Sequence, residues 1–245
     1  MYPEICRIGP LVVYSYGLAL VVAFFVVTTL ASQEAKRNQI NPDIIYNLIF
    51  IAFISGIIGA RLFYVLQNFA YYIKSPIEII MLQRGGLSWF GGLFFGLISS
   101  VVYLKLKKLR VYEIADIVVP YLALGQAIGR LGCFFNGCCY GKEYTHGIYF
   151  PIHDKILIPT QLYSSLFSIC IFILLRLLLE KPHKKGQILF TYLLLYSIKR
   201  FFIEYFREDN PQILFSLTLF QIMSIAVFIL AAIKLGLIFL KAKNK

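Results

Sequence analysis

The sequence predicts an all-α integral membrane protein with about seven transmembrane helices. Three observations carry this. The 245 residues are 59% hydrophobic and only 15% charged, with a mean hydropathy of +0.75. Apolar runs of about 20 residues, enough to cross a bilayer at ~1.5 Å per helical residue, recur along the chain. Basic residues gather at alternate ends of those runs. A water-soluble core of this size cannot hide so much apolar surface, so part of the solvent is lipid.

The runs fall at roughly 11–31, 44–66, 86–104, 114–135, 161–179, 187–206 and 213–240. Residues 67–85 read as an interfacial or re-entrant connection, and 136–160 as the longest loop. No low-complexity tract, long linker or repeat interrupts them, so 1–245 reads as a single polytopic membrane domain. The first ten residues carry one Arg and one Glu ahead of a long apolar run, which is not the pattern of a cleavable signal peptide.

Charge sets the expected orientation. Lys36 and Arg37 follow the first run, Lys105, Lys107, Lys108 and Arg110 the third, and Lys181, Lys184 and Lys185 the fifth. Lys241, Lys243 and Lys245 end the chain. The other connections carry only Arg7, Lys74, Arg84, Lys142, Lys155 and Arg207. The positive-inside rule then puts the N-terminus outside, the C-terminus in the cytoplasm and the 136–160 loop outside. The net charge of +12 follows from these basic cytoplasmic loops facing anionic headgroups, not from nucleic-acid binding.

Ionisable groups inside the runs are candidates for function, because a buried charge in a bilayer is costly. Arg130 lies in the fourth run among Gly125, Gly129 and Gly132, whose spacing suits close helix packing or close approach of a ligand. In the sixth run Tyr196, Arg200, Glu204 and Arg207 fall within about an 80° arc. A snorkelling, self-paired polar stripe is the plain reading of residues 204–207, whereas Arg200 is deeper. Arginine offers a planar fork suited to phosphate oxygens, and the abundant phosphate of a membrane is the lipid headgroup. Arg61 reads as an interfacial anchor or a further site residue. The glycines around Ser88, Trp89 and Phe90 fit either a broken backbone facing a cavity or tight helix packing.

The five cysteines, an odd number, argue against a complete disulfide framework. Cys133, Cys138 and Cys139 do not match common zinc spacings. Inert buried thiols, a Cys133–Cys138 disulfide and a metal site all stay open, and the expectation is no metal and no cofactor.

Several stretches together resemble the prolipoprotein diacylglyceryl transferase family. They are SYGL at 15–18, GARL at 59–62, GGLSWFGGL at 85–93, GRLGCFFNGCCYG at 129–141, PTQLY at 159–163 and RFFIEYFRED at 200–209. The resemblance implies transfer of a diacylglyceryl group from phosphatidylglycerol to the lipobox cysteine of a prolipoprotein, with release of glycerol phosphate. It implies a multi-pass protein of the bacterial inner (plasma) membrane, with no cofactor. Arg130 and Arg200 match the family's two essential arginines, and Glu204 and Arg207 the polar residues after the second. Tyr16, Arg61, Gly91, Gly92, Asn136 and Tyr196 are the remaining expected substrate-site residues. The chain departs from the pattern at three places: Phe90 where the family commonly has a histidine, Cys133 for an asparagine and Cys138 for a glutamate. Arginines near the acceptor thiol, or Glu204 as base, would then activate it. The departures also fit a paralogue with another acceptor, and the glycine-rich runs a non-enzymatic lipid carrier.

Overall fold

The computed structural model describes residues 1–9, 11–81, 85–207 and 210–243. Arg84 and Lys245, used above for orientation, and Glu208 and Asp209 of the last motif lie outside the described residues. The chain is dominated by helices: α1 Ser15–Arg37, α2 Pro42–Gln67, the one-turn α3 Phe69–Tyr72, α4 Trp89–Leu106, α5 Val111–Asn136, α6 Thr160–Leu179, α7 Gln187–Tyr205 and α8 Leu219–Lys243. Six of them are long and apolar enough to span a membrane. α7 is long enough at 19 residues, but Lys199, Arg200 and Glu204 interrupt its apolar run. Side chains such as Leu97, Phe202 and Leu230 stand exposed on the helices. Such surfaces are stable against hydrocarbon and not against water.

Three short antiparallel hairpins accompany the helices, which the helical reading of the sequence did not include. They are β1 Glu4–Ile8 with β2 Leu11–Tyr14, β3 Glu143–Phe150 with β4 Lys155–Leu157, and β5 Gln212–Leu214 with β6 Leu217–Thr218. The expected 136–160 loop is thus largely a hairpin. The first and last spans begin later than expected, at Ser15 and Leu219, because 11–14 and 212–218 pair as strands. Phe215 and Ser216 turn the last hairpin with φ of 48° and 59°. Neither residue advertises that conformation as glycine or asparagine would.

The chain divides into two compact units, one of residues 31–114 and one of the residues before and after. In the first of these, α2 and α4 meet along a seam of small residues. A Cβ on Gly59 would strike the Phe95 side chain and lie 2.7 Å from the Gly91 carbonyl oxygen, and a Cβ on Gly91 would strike the Gly59 carbonyl. A Cβ on Gly96 would lie 3.2 Å from the Ala52 carbonyl oxygen, and the Ser55 and Ser99 hydroxyls share a hydrogen bond of 2.6 Å. Close backbone approach of this kind drives helix association in lipid, where apolar burial adds little. Gly91, Gly92 and Gly96 therefore serve helix packing. Gly85 and Gly86, with φ of 77° and 79°, instead make a left-handed turn before α4. Gly91→Ala is expected to cost about 1–3 kcal/mol through overpacking, read as a lowered thermal midpoint in detergent; an unchanged midpoint would refute the seam.

In the other unit α5, α6 and α7 share a core that includes Val119, Ala123, Ile171, Leu175, Ile188 and Tyr192. α1 lies against α5 at Gly125 and Gly132, where a Cβ would meet Val27 and Ala19. Asp116 fixes the start of α7: its carboxylate accepts the backbone N–H of Gly186 at 2.6 Å and of Leu189 at 2.8 Å. Those donors have no partner within the helix, and a negative charge suits a helix N-terminus. This acid, buried inside the fourth span, is a helix cap supplied from another helix.

Candidate anion site and thiol cluster

α5 and α7 carry the two central arginines. Arg130 projects from the last turns of α5, half-buried, and makes no hydrogen bond or ion pair among the described residues. Beside it, a Cβ on Gly129 would touch nothing within 4 Å. Of the three glycines in this helix, Gly125 and Gly132 serve packing and Gly129 leaves space next to the arginine. Arg200 is 12% exposed and pairs through Nη2 with Glu204 at 3.1 Å across one helical turn. Its guanidinium lies 4.3 Å over the Phe220 ring. Its Nη1 is buried with no hydrogen-bond partner. A buried charged donor left unsatisfied is expensive, and an anionic oxygen would satisfy it.

Glu204 has a fully buried side chain. Its Oε1 accepts from Asn210 at 2.5 Å and from Thr218 at 3.1 Å, while Oε2 faces Arg200 and, at 4.0 Å, Arg207 Nε. Oε1 is thus hydrogen-bonded, while Oε2 is buried with an ion pair and no hydrogen bond. Lys199, which the sequence reading passed over beside Arg200, is also buried. It donates to Ser168 Oγ at 2.8 Å and lies 4.6 Å from the Tyr196 ring centroid. Arg130 acts electrostatically on both Lys199 and Arg200. Arg200 and Arg207 face the Glu204 carboxylate, Arg130 and Lys199 lie within electrostatic reach of Arg200 or of each other, and the surplus is positive.

The turn after α5 brings a second group of residues to Arg130. Gly137, with φ of 73°, ends the helix: the Cys138 N–H bonds the Cys133 carbonyl and the Gly137 N–H the Phe134 carbonyl, both at 3.1 Å. This Schellman closure folds Cys138 back over Cys133. Thr160 Oγ1 and Gln161 Nε2, from the start of α6, donate to the Cys139 and Cys138 carbonyls, each at 2.7 Å. The PTQLY stretch thus has a physical task, holding the turn. Gly141 pairs with Arg207, and a Cβ there would lie 2.7 Å from the Phe206 carbonyl. The end of α7 and the turn are consequently tied together.

The sulfurs of Cys133, Cys138 and Cys139 lie within 4.8 Å of one another, as free thiols. Cys138 Sγ donates to the Cys133 carbonyl oxygen at 3.7 Å, and the Cys133 and Cys138 thiols, with Arg130 and Arg207, neighbour the Cys139 sulfur. Together they hold the Cys139 thiol below its ordinary range. Asn136 hydrogen-bonds toward Cys138, and Tyr16, at the start of α1, is within electrostatic reach of Arg130 and Cys133. Tyr196 stacks against Tyr192 with ring centroids 5.8 Å apart.

Arg61 belongs to the 31–114 unit and is 6% exposed. Its guanidinium donates to the backbone carbonyls of Glu78, Ile79, Met81, Gly85 and Gly86, with the Tyr64 and Tyr72 rings against it. Its fork is occupied by the chain's own carbonyls. The connection expected to be interfacial or re-entrant contains a short α3 and a 3-10 turn at Pro76–Ile80, held by this arginine.

Fold and site define a multi-pass membrane protein with a partly buried, positively charged site between its helices. The family model for prolipoprotein diacylglyceryl transferase matches residues 3–237, and the chain belongs to that family. It is 37% identical over 239 residues to a phosphatidylglycerol–prolipoprotein diacylglyceryl transferase of Bacillus cytotoxicus, covering 93% of this chain and 88% of that protein. Proteins of the same description from Bacillus mycoides and Bacillus cereus are each 36% identical with the same coverage.

Proposed function

We propose that this protein transfers the diacylglyceryl group of phosphatidylglycerol to the lipobox cysteine of a prolipoprotein and releases glycerol phosphate. The observation that carries this reading is the surplus of cation around Arg130 and Arg200, with Arg200 Nη1 buried and unpartnered. The headgroup phosphate fits between the two arginines. The acceptor sulfur attacks the glyceryl carbon, the carbon–oxygen bond to phosphate breaks, and its electron pair leaves on the phosphate. Arginine donors already in place stabilise that developing charge without reorganising. Glu204, ion-paired through Oε2, positions Arg200 and Arg207. Tyr16, Asn136 and Tyr196 border the headgroup. Arg61, Gly91 and Gly92 order α2, α4 and the turn between them within the 31–114 unit. An apolar cavity of about 200 Å³, lined by Ser197, Phe201, Phe202, Ser224 and Phe228, offers a surface for an acyl chain.

Residues 1–245 act as one polytopic domain of the bacterial inner (plasma) membrane, with the N-terminus and the arginine site outside and the C-terminus cytoplasmic. The partners are phosphatidylglycerol, the prolipoprotein signal peptide and the bilayer, without nucleic acid. Purified protein, phosphatidylglycerol and a lipobox peptide are expected to give a peptide carrying the added diacylglyceryl mass. No mass shift, beside an active family member as control, rejects the reading.

A further inference from the structure

Cys133, Cys138 and Cys139 are drawn together by a firmly held turn. The Schellman closure, the hydrogen bonds from Thr160 and Gln161, and a His153 Nε2 bond of 2.9 Å to the Gly137 carbonyl all immobilise the turn that carries them. Their sulfurs, within 4.8 Å of one another, need only a small contraction to surround one ion. Zinc–sulfur bonds of ~2.3 Å place tetrahedral sulfurs ~3.8 Å apart. No carboxylate or imidazole joins the set among the described residues. Three sulfur ligands from the protein, with the fourth position open, is the arrangement of a reactive zinc and not of a structural one. An all-thiolate set also favours soft or borderline metals over magnesium or calcium.

We propose that these three cysteines form a zinc site whose fourth position takes the acceptor thiol and presents it as a thiolate to the lipid held at Arg130. The proposal rests on the transferase reading above and supplies what that reading lacks. Phe90 cannot accept a proton, and Glu204 is held ionised beside Arg200. A free thiol is only a few per cent ionised at neutral pH, whereas a metal-bound one is deprotonated. On binding, the acceptor releases its proton to solvent. Its sulfur lone pair then forms the bond to the glyceryl carbon as the carbon–oxygen bond breaks and glycerol phosphate departs. Zinc changes no oxidation state in this exchange. Three thiolates and zinc carry one negative charge, and the acceptor makes it two. Arg130 and Arg207, both within electrostatic reach of Cys139, offset that charge. The spacing C-x4-C-C alone gave no reason to expect a metal; the fold supplies it by closing the helix at Gly137.

The test uses the full chain purified under reducing conditions. Elemental analysis is expected to find about one zinc per protein, lost in the triple variant C133S/C138S/C139S. Cobalt(II) exchanged into the wild-type protein is expected to show thiolate-to-cobalt charge-transfer absorption. Adding a lipobox peptide should raise it by roughly one third, as three sulfur ligands become four; a peptide with serine for the lipobox cysteine should not. Transfer by the triple variant should fall about 30-fold at neutral pH, matching the lost thiolate fraction. Product formed at the full rate by zinc-free wild type, or by the triple variant, overturns the zinc site and leaves the transferase reading standing. A disulfide among these cysteines in active enzyme overturns it equally. Zinc bound, with the cobalt response to peptide but no transfer, supports the site and rejects the transferase reading.

Discussion

Arg130→Ala is expected to lower diacylglyceryl transfer by at least about 10²-fold while leaving the protein as stable as before. The rate loss follows from removing a charged donor aimed at the departing phosphate. The unchanged stability follows from the structure. Arg130 has no carboxylate or carbonyl partner among the described residues, so its removal strands nothing. Gly129 beside it adds open space and no packing. Arg130→Lys keeps the charge but not the planar fork, and is expected to recover only part of the rate. Product formation by mass spectrometry and thermal unfolding in detergent, measured on the same preparations, decide the matter. Transfer above one-tenth of wild type in Arg130→Ala would remove this arginine from the phosphate site.

Why Arg130 and Arg200 stood out in the sequence, while much around them did not, has a physical basis. A guanidinium inside an apolar run of spanning length is visible without any structure, because its desolvation must be answered by something. The helices were visible for the same reason, since their lengths and compositions answer to the bilayer. Lys199 was hidden by its neighbour: next to Arg200 it read as one more basic residue, and only the fold shows it buried against Ser168. Arg61 was legible as a costly arginine but not as a clamp, because its partners are backbone carbonyls 17 to 25 residues away. No side-chain pattern announces a carbonyl. The thiol cluster depends on one left-handed residue, Gly137, closing α5. The end of that helix was readable, since the fourth apolar run stops near residue 135. The distance between sulfurs that the stop creates was not readable.

Glu204→Gln is expected to behave in the opposite way to Arg130→Ala, losing stability together with activity. Glu204 Oε2 pairs with Arg200 at 3.1 Å and faces Arg207 at 4.0 Å, and its side chain is fully buried. Breaking a buried pair by removing one partner typically costs about 3–5 kcal/mol, because the remaining charge is left uncompensated. Here the Arg200 guanidinium is the charge left behind, with its Nη1 already lacking a hydrogen-bond partner. The glutamine can still accept from Asn210 and Thr218, so Glu204→Gln should sit at the low end of that range and Glu204→Ala at the high end. Phosphatidylglycerol in the detergent should restore part of the thermal midpoint by returning negative charge to the arginines, as binding to the folded state alone must. The two roles that a carboxylate here can have are separated by this variant. A positioning Glu204 gives a lowered midpoint and a transfer rate that lipid partly rescues. A general base gives an unchanged midpoint and a rate that no lipid concentration restores, since the missing group is then the proton acceptor itself. The hydrogen bonds from Asn210 and Thr218 and the two facing arginines hold the ionised carboxylate in place, which is why the first outcome is expected.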